Sequence, residues 1–175
     1  MGLRKIVFLL LFCLPLTTIA QSLAEKVASN YEGKKGYTSV NISKSMFKML
    51  SRIKTTDPEY KDFQKFISNL EGIKILIQED EETNTLKNDL VSLAHSLTKN
   101  GYEELMNINE EGNIISFKIR ENNNRIRELV MSITGEDTVL MIISGNFLLD
   151  ELTSISDNIN IGGMEQVTKL KNKKK

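Results

Sequence analysis

The spacing of apolar residues changes along this chain from helical to strand-like, and the change falls near residue 101. Before it, three stretches repeat at the roughly 100° per residue of an α-helix. Met46, Phe47, Met49, Leu50 and Ile53 form the first, with Ser43 placed to cap it. Tyr60, Phe63, Ile67 and Leu70 form the second, with Phe66 beside them. There Asp57 is a cap, Pro58 suits the first helical position, and Glu71-Gly72 ends the helix. Leu86, Leu90, Leu93, Ala94 and Leu97 line one side of the third, from about Thr83 to Asn100, and Gly101 fits the left-handed residue that follows. A shorter helix starts at Gln21 and gives way to a glycine- and lysine-rich link ending at Gly36. Two strands separate these helices. Val40 and Ile42 oppose Ser39 and Asn41 in 37–42, and Ile73, Ile75 and Ile77 alternate with Lys74, Leu76 and Gln78.

After Gly101 the period is 2. Tyr102 to Ile108 is a strand, and Glu110-Glu111-Gly112-Asn113 is a hairpin turn with its glycine. Ile115, Phe117 and Ile119 alternate with Ser116, Lys118 and Arg120. Asn122-Asn123-Asn124 turns the chain, because asparagine tolerates positive φ. Leu129, Met131 and Ile133 alternate with Glu128, Val130 and Ser132, and Gly135-Glu136-Asp137 is a third turn. Val139 to Ile143 is apolar throughout, which predicts a central strand covered on both faces. Gly145-Asn146 ends it, and Phe147 to Ile155 reads as a short helix. Short polar turns make these four strands antiparallel neighbours. The expected fold is α+β: a two-layer sandwich whose mostly antiparallel sheet of about six strands ends in a four-strand meander, with the helices on one face.

The start of the chain predicts its compartment. Arg4 and Lys5 precede nine uninterrupted apolar residues, Ile6 to Leu14, then Pro15 and the small-residue pattern of Thr18-Ile19-Ala20. That is the layout of a secretory signal peptide cleaved after Ala20, and nine residues fall short of the roughly 20 that span a bilayer. The expected organisation is a signal peptide at 1–20, one α+β domain at 21–156 and a flexible lysine-rich tail at 157–175. The destination is the periplasm or the medium of a Gram-negative cell. Cys13, the single cysteine, falls in the leader. Phe12 before it does not suit a lipidation site, so the mature chain is expected to be cysteine-free.

Net charge is zero over the whole chain, but it is unevenly distributed. With Arg4, Lys5 and the terminal Lys169, Lys171, Lys173, Lys174 and Lys175 set aside, 16 of the 23 basic residues face 23 acidic ones, giving the body −7. An acidic body argues against nucleic acid as a partner. Membrane contact, if any, falls to the five terminal lysines.

Several blocks resemble one family. Thr38-Ser39-Val40-Asn41-Ile42-Ser43-Lys44-Ser45-Met46-Phe47 is similar to the opening block of domain-of-unknown-function family 4252. So are Ile73-Lys74-Ile75-Leu76, Asn100-Gly101-Tyr102-Glu103-Glu104-Leu105-Met106, and Glu128-Leu129-Val130 through Ile143-Ser144-Gly145-Asn146. The likeness spans about residues 25–155. It implies a small exported protein of Gram-negative bacteria, and it brings no activity and no functional residues.

Candidate chemistry is sparse. The one histidine, His95, sits about 180° from the apolar stripe of its helix, so it should face solvent away from any pocket. A Ser-His-Asp triad or a histidine metal centre would depend on it alone. The run Glu79-Asp80-Glu81-Glu82 suits the positive end of the following helix better than a cation. Asn107-x-Asn109-x-Glu111-Gly112 begins like a calcium loop but has Lys118 where a bidentate glutamate is required. Glu103 and Glu104 are adjacent on a strand, so they point to opposite faces and cannot share a site. The glycines lack phosphate-loop spacing. Met46, Met49, Met106 and Met131 fall where core side chains are expected; the alternative is a pliable partner-binding surface. No catalytic, cofactor or metal residue is assigned and no cofactor is implied. The leading expectation is an exported, non-enzymatic binding module of the cell envelope. It would work through a sheet face, groove or strand edge on another envelope protein or a small apolar ligand. The alternatives are a hydrolase or isomerase using carboxylates alone (Glu103 with Asp137 or Glu79) and a lipid- or envelope-stress-associated factor using the terminal lysines.

Overall fold

The computed structural model describes residues 21–79, 85–110 and 112–156. The expected leader at 1–20 and tail at 157–175, with its five lysines, lie outside the described residues, as do most of the acidic run after Glu79. In chain order the elements are α1 (Leu23–Ser29), β1 (Tyr37–Ser43), α2 (Lys44–Leu50), α3 (Pro58–Ser68), β2 (Leu70–Gln78), α4 (Thr85–Lys99), β3 (Glu103–Glu110), β4 (Asn113–Asn122), β5 (Arg125–Thr134), β6 (Thr138–Phe147) and α5 (Leu149–Ser156). The strands form one antiparallel sheet in the order β1-β2-β6-β5-β4-β3. The class is α+β, with the expected six strands and the expected terminal meander. As expected, β6 is central and largely buried on both faces.

The helices lie on both faces of the sheet, not on one. Phe117, Ile119, Leu129, Met131, Met141 and Ile143 pack with Phe47 of α2, Phe66 and Ile67 of α3 and Leu152 of α5. The alternate residues Val130, Leu140 and Ile142, with Leu76, pack with Ala24 and Ala28 of α1 and with Leu86, Leu90, Leu93 and Leu97 of α4. Residues 129–131 and 140–143 therefore feed two cores in alternation. The reason is visible in β6: a strand apolar at every position needs cover on both sides, and one layer of helices supplies only one. Each fully buried leucine or phenylalanine stabilises by about 1.5–3 kcal/mol, so the second core is a large share of the fold.

Local chemistry sets most boundaries. Ser22 and Glu25 form a capping box at α1. Asn123 and Asn124 both take positive φ, 53° and 58°, in a two-residue turn between β4 and β5. Gly101, at φ 79°, stops α4 as expected. Two boundaries differ from the pattern reading. Glu71-Gly72 does not end α3, because β2 begins at Leu70 and its register against β6 shifts there. Gly145-Asn146 does not end β6, which runs on to Phe147. A Cβ at Gly145 would lie 2.6 Å from the carbonyl oxygen of Asn69, so glycine marks a close approach of two backbones at the register shift rather than a strand end. A second shift, at Ile126/Glu128, turns Ile126 onto the face of Leu129 and Phe147.

Candidate functional site

The path of the chain makes a groove. β2 lies one strand in from the β1 edge and β3 forms the opposite edge, so α4 must cross one face to connect them. Its apolar stripe rests on β5 and β6. Its flank therefore overhangs β3, β4 and the end of β5, where the inward residues are polar: Ser116 and Lys118, with Ser132 opposite Ser116. Between helix and strands is a cavity of about 350 Å³. Leu90, Val91 and Ala94 of α4, with Ile114, give it an apolar wall. Ser116, Lys118, Ser132 and Thr134 form its floor, and Thr98, Glu104, Asn107 and His95 its polar end and rim.

Lys118 is the central charge. Its side chain is 8 % exposed, yet its ammonium donates to Glu104 Oε2 at 3.0 Å and to Thr98 Oγ1 at 3.1 Å. An ammonium carries three donors, and these contacts engage two. Glu104, at 46 % exposure, keeps half its side chain in water. Ser116 and Thr134 are buried as well. A charged pair with several hydroxyls along an apolar wall can hold a small molecule that has both an apolar body and a polar head.

A polar cluster built around the buried Glu128 lies on the same sheet face as the groove floor. Tyr102, just past the end of α4, donates its hydroxyl to Glu128 Oε1 at 2.9 Å, and Arg120 approaches Glu128 Oε2 at 3.4 Å. The Arg120 guanidinium also lies 5.6 Å from the Tyr102 ring centre. Burial, then the charge of Glu128 and the hydrogen bond to it, push the Tyr102 phenol from its ordinary 10 up to about 12, against the opposing pull of Arg120. The phenol is therefore a fixed donor at neutral pH, and the cluster ties the end of α4 to β4 and β5. On the other side of the helix, Tyr31 donates to Asp89 Oδ2 at 2.7 Å, linking the segment after α1 to α4.

The structure places the sequence candidates as follows. His95 is exposed, as its helical position demands, but it lies on the rim of the groove and not away from any pocket. Helical angle told which way it points and not what stands beside it. Glu104 enters the groove. Glu103 is level with Ile119, Leu129 and Ile143 on successive strands, whereas Asp137 lies six residues beyond Ile143 along β6. At about 3.3 Å per residue that is roughly 20 Å along the strands alone, so Glu103 meets neither Asp137 nor Glu79. Glu79 instead accepts a hydrogen bond from Thr38 Oγ1. Gly112, at φ 82°, closes the hairpin after Asn107 and Asn109. Met131 is in the core and Met106 packs against it, but Met46 and Met49 are exposed, Met49 to 61 %. α2 has only seven residues, so Phe47 and Leu50 meet the core while its neighbouring stripe stays bare. Among the described residues no three His, Cys, Asp or Glu side chains converge, and no helix is long and apolar enough to cross a membrane.

Lys118, Thr98, Ser132 and Thr134 were not candidates from the sequence. Their only signal was the polar alternation of β4 and β5, which by itself describes a solvated sheet face.

The family model for a domain of unknown function, DUF4252, matches residues 31–155, and the chain belongs to that family. No curated protein and no solved structure matches it.

Proposed function

We propose that this member of the DUF4252 family is an exported, non-enzymatic binding module of the bacterial cell envelope, and that the groove under α4 is its binding site. The observation that carries the reading is the nearly buried Lys118, paired with the half-exposed Glu104 and set against an apolar wall in a cavity of about 350 Å³. The lining holds one cation and one carboxylate, so a ligand with a lone negative charge would meet Glu104 and one with a lone positive charge would meet Lys118. A zwitterion satisfies both: its carboxylate takes the third donor of Lys118, its ammonium faces Glu104, and its apolar group lies on Leu90, Val91 and Ala94. An apolar amino acid or short peptide has that shape. Among the described residues no hydroxyl of the groove is hydrogen bonded to His95, and the Lys118 amine is engaged as a donor to Glu104 and Thr98. Neither arrangement equips a nucleophile with a base. Export is supported by Arg4-Lys5, the apolar stretch after them and Thr18-Ile19-Ala20.

Isothermal titration with leucine and leucyl-leucine tests this, with octanoate and octylamine as singly charged comparators. The zwitterions should bind, the comparators at least tenfold more weakly, and Lys118→Met should abolish zwitterion binding while the protein stays folded. Binding that ignores Lys118→Met, or no binding by either zwitterion, contradicts the assignment.

A further inference from the structure

The two edges of the sheet are built differently. β3 is defended: Glu103, Glu104 and Glu110 place charge along it, and its register shifts between Glu104 and Met106. Charges and bulges of this kind keep an edge strand from pairing with another chain. β1 has neither. Tyr37–Ser43 carries no charged residue and no proline, and it pairs with β2 from Tyr37↔Gln78 to Ser43↔Gly72 without a register shift. Its outer side is a straight, uncharged template for one more strand.

The same side of the molecule exposes a group of apolar side chains. Val40 on β1, Ile77 on β2, and Met46, Met49 and Ile53 on and just after α2 are all exposed. Met46 and Met49 lie on one side of α2, Ile53 follows just beyond its end, and α2 packs against β1 and β2. An exposed apolar group beside an open strand edge is the signature of an interface.

We infer that β1 pairs antiparallel with β1 of a second copy of this chain, across a two-fold axis at Val40, to make one continuous twelve-stranded sheet. The strand is self-complementary in that register. Val40 meets Val40, Thr38 meets Ile42, and Ser39 meets Asn41, so apolar and β-branched residues share one face and polar residues the other. Charge complements the fit at both ends. In that register Lys44 of one copy, exposed and 3.7 Å from Glu71 of its own chain, falls level with Gly36 of the other, whose carbonyl oxygen accepts from the Glu79 amide at 2.9 Å, so pairing brings Lys44 toward Glu79 twice across the axis. The exposed Met46, Met49 and Ile53 add apolar area to that buried by the strands, toward the roughly 1,200–2,000 Å² of a stable interface. The groove under α4 is on the opposite face, so pairing leaves it open.

Sedimentation velocity on the purified protein tests the pairing. The wild type should sediment at twice the chain mass. Val40→Lys, which sets two like charges against each other on the axis, should halve that mass with an unchanged far-ultraviolet circular dichroism spectrum. Lys44→Glu and Glu79→Lys should each weaken the dimer, and the double variant should restore it. A monomeric wild type, including one that takes up an extended peptide in place of a second copy, overturns the proposal. So does a Val40→Lys protein that still sediments as a dimer.

Discussion

Lys118 and Glu104 make the same contact at unequal risk. The lysine is almost wholly out of water and the glutamate half in it, so removing one partner differs from removing the other. Glu104→Gln leaves the buried ammonium with neutral acceptors only, the amide oxygen and Thr98 Oγ1, and no countercharge, which costs about 1–3 kcal/mol. Lys118→Met leaves a carboxylate that water can reach and keeps an apolar stem in place, so its cost stays below about 1 kcal/mol. Urea denaturation of the two variants checks the order: Glu104→Gln should lose clearly more stability than Lys118→Met, and the reverse order would mean that Glu104 is not what compensates the buried charge.

At the scale of elements, period and turn chemistry carry most of the information, and what they miss is long-range. The three apolar stripes locate α2, α3 and α4. The asparagines at 123 and 124 and the glycines at 101 and 112 mark where the chain turns. The pattern fails where a residue's neighbour is far away in sequence. Gly145 resembles a strand terminator because glycine usually weakens strands, yet β6 continues through it past the backbone of Asn69. Gly145→Ala would push a methyl group against that carbonyl, and displacing packed backbone costs about 1–3 kcal/mol. Thermal unfolding should show a drop of several degrees, and an unchanged midpoint would show that the β2–β6 register shift relaxes freely. Met46 and Met49 fail differently. Their spacing is that of a core helix, but a seven-residue helix presents only one narrow side to the sheet. The groove was the least legible feature. Its floor was visible as polar alternation in β4 and β5, but its roof depends on α4 crossing from β2 to the far edge, and strand order is not written in local periodicity.

For the whole molecule, two cores divide the work. The α2–α3–α5 face and the α1–α4 face each bury one set of alternating strand residues. The second is incomplete over β3 and β4, where polar residues replace apolar ones. Such a gap in an otherwise filled layer is where a ligand can enter without unfolding anything, and the Tyr102–Glu128–Arg120 cluster keeps α4 from settling into it. The central claim is that this gap is a binding site. Backbone amide shift mapping during titration with leucine tests it most directly. The account predicts perturbations confined to the flank of α4 from Val91 to Thr98 and to Ser116, Lys118, Ser132 and Thr134. Shifts gathered instead on β1 and α2, or none at saturating leucine, would contradict it.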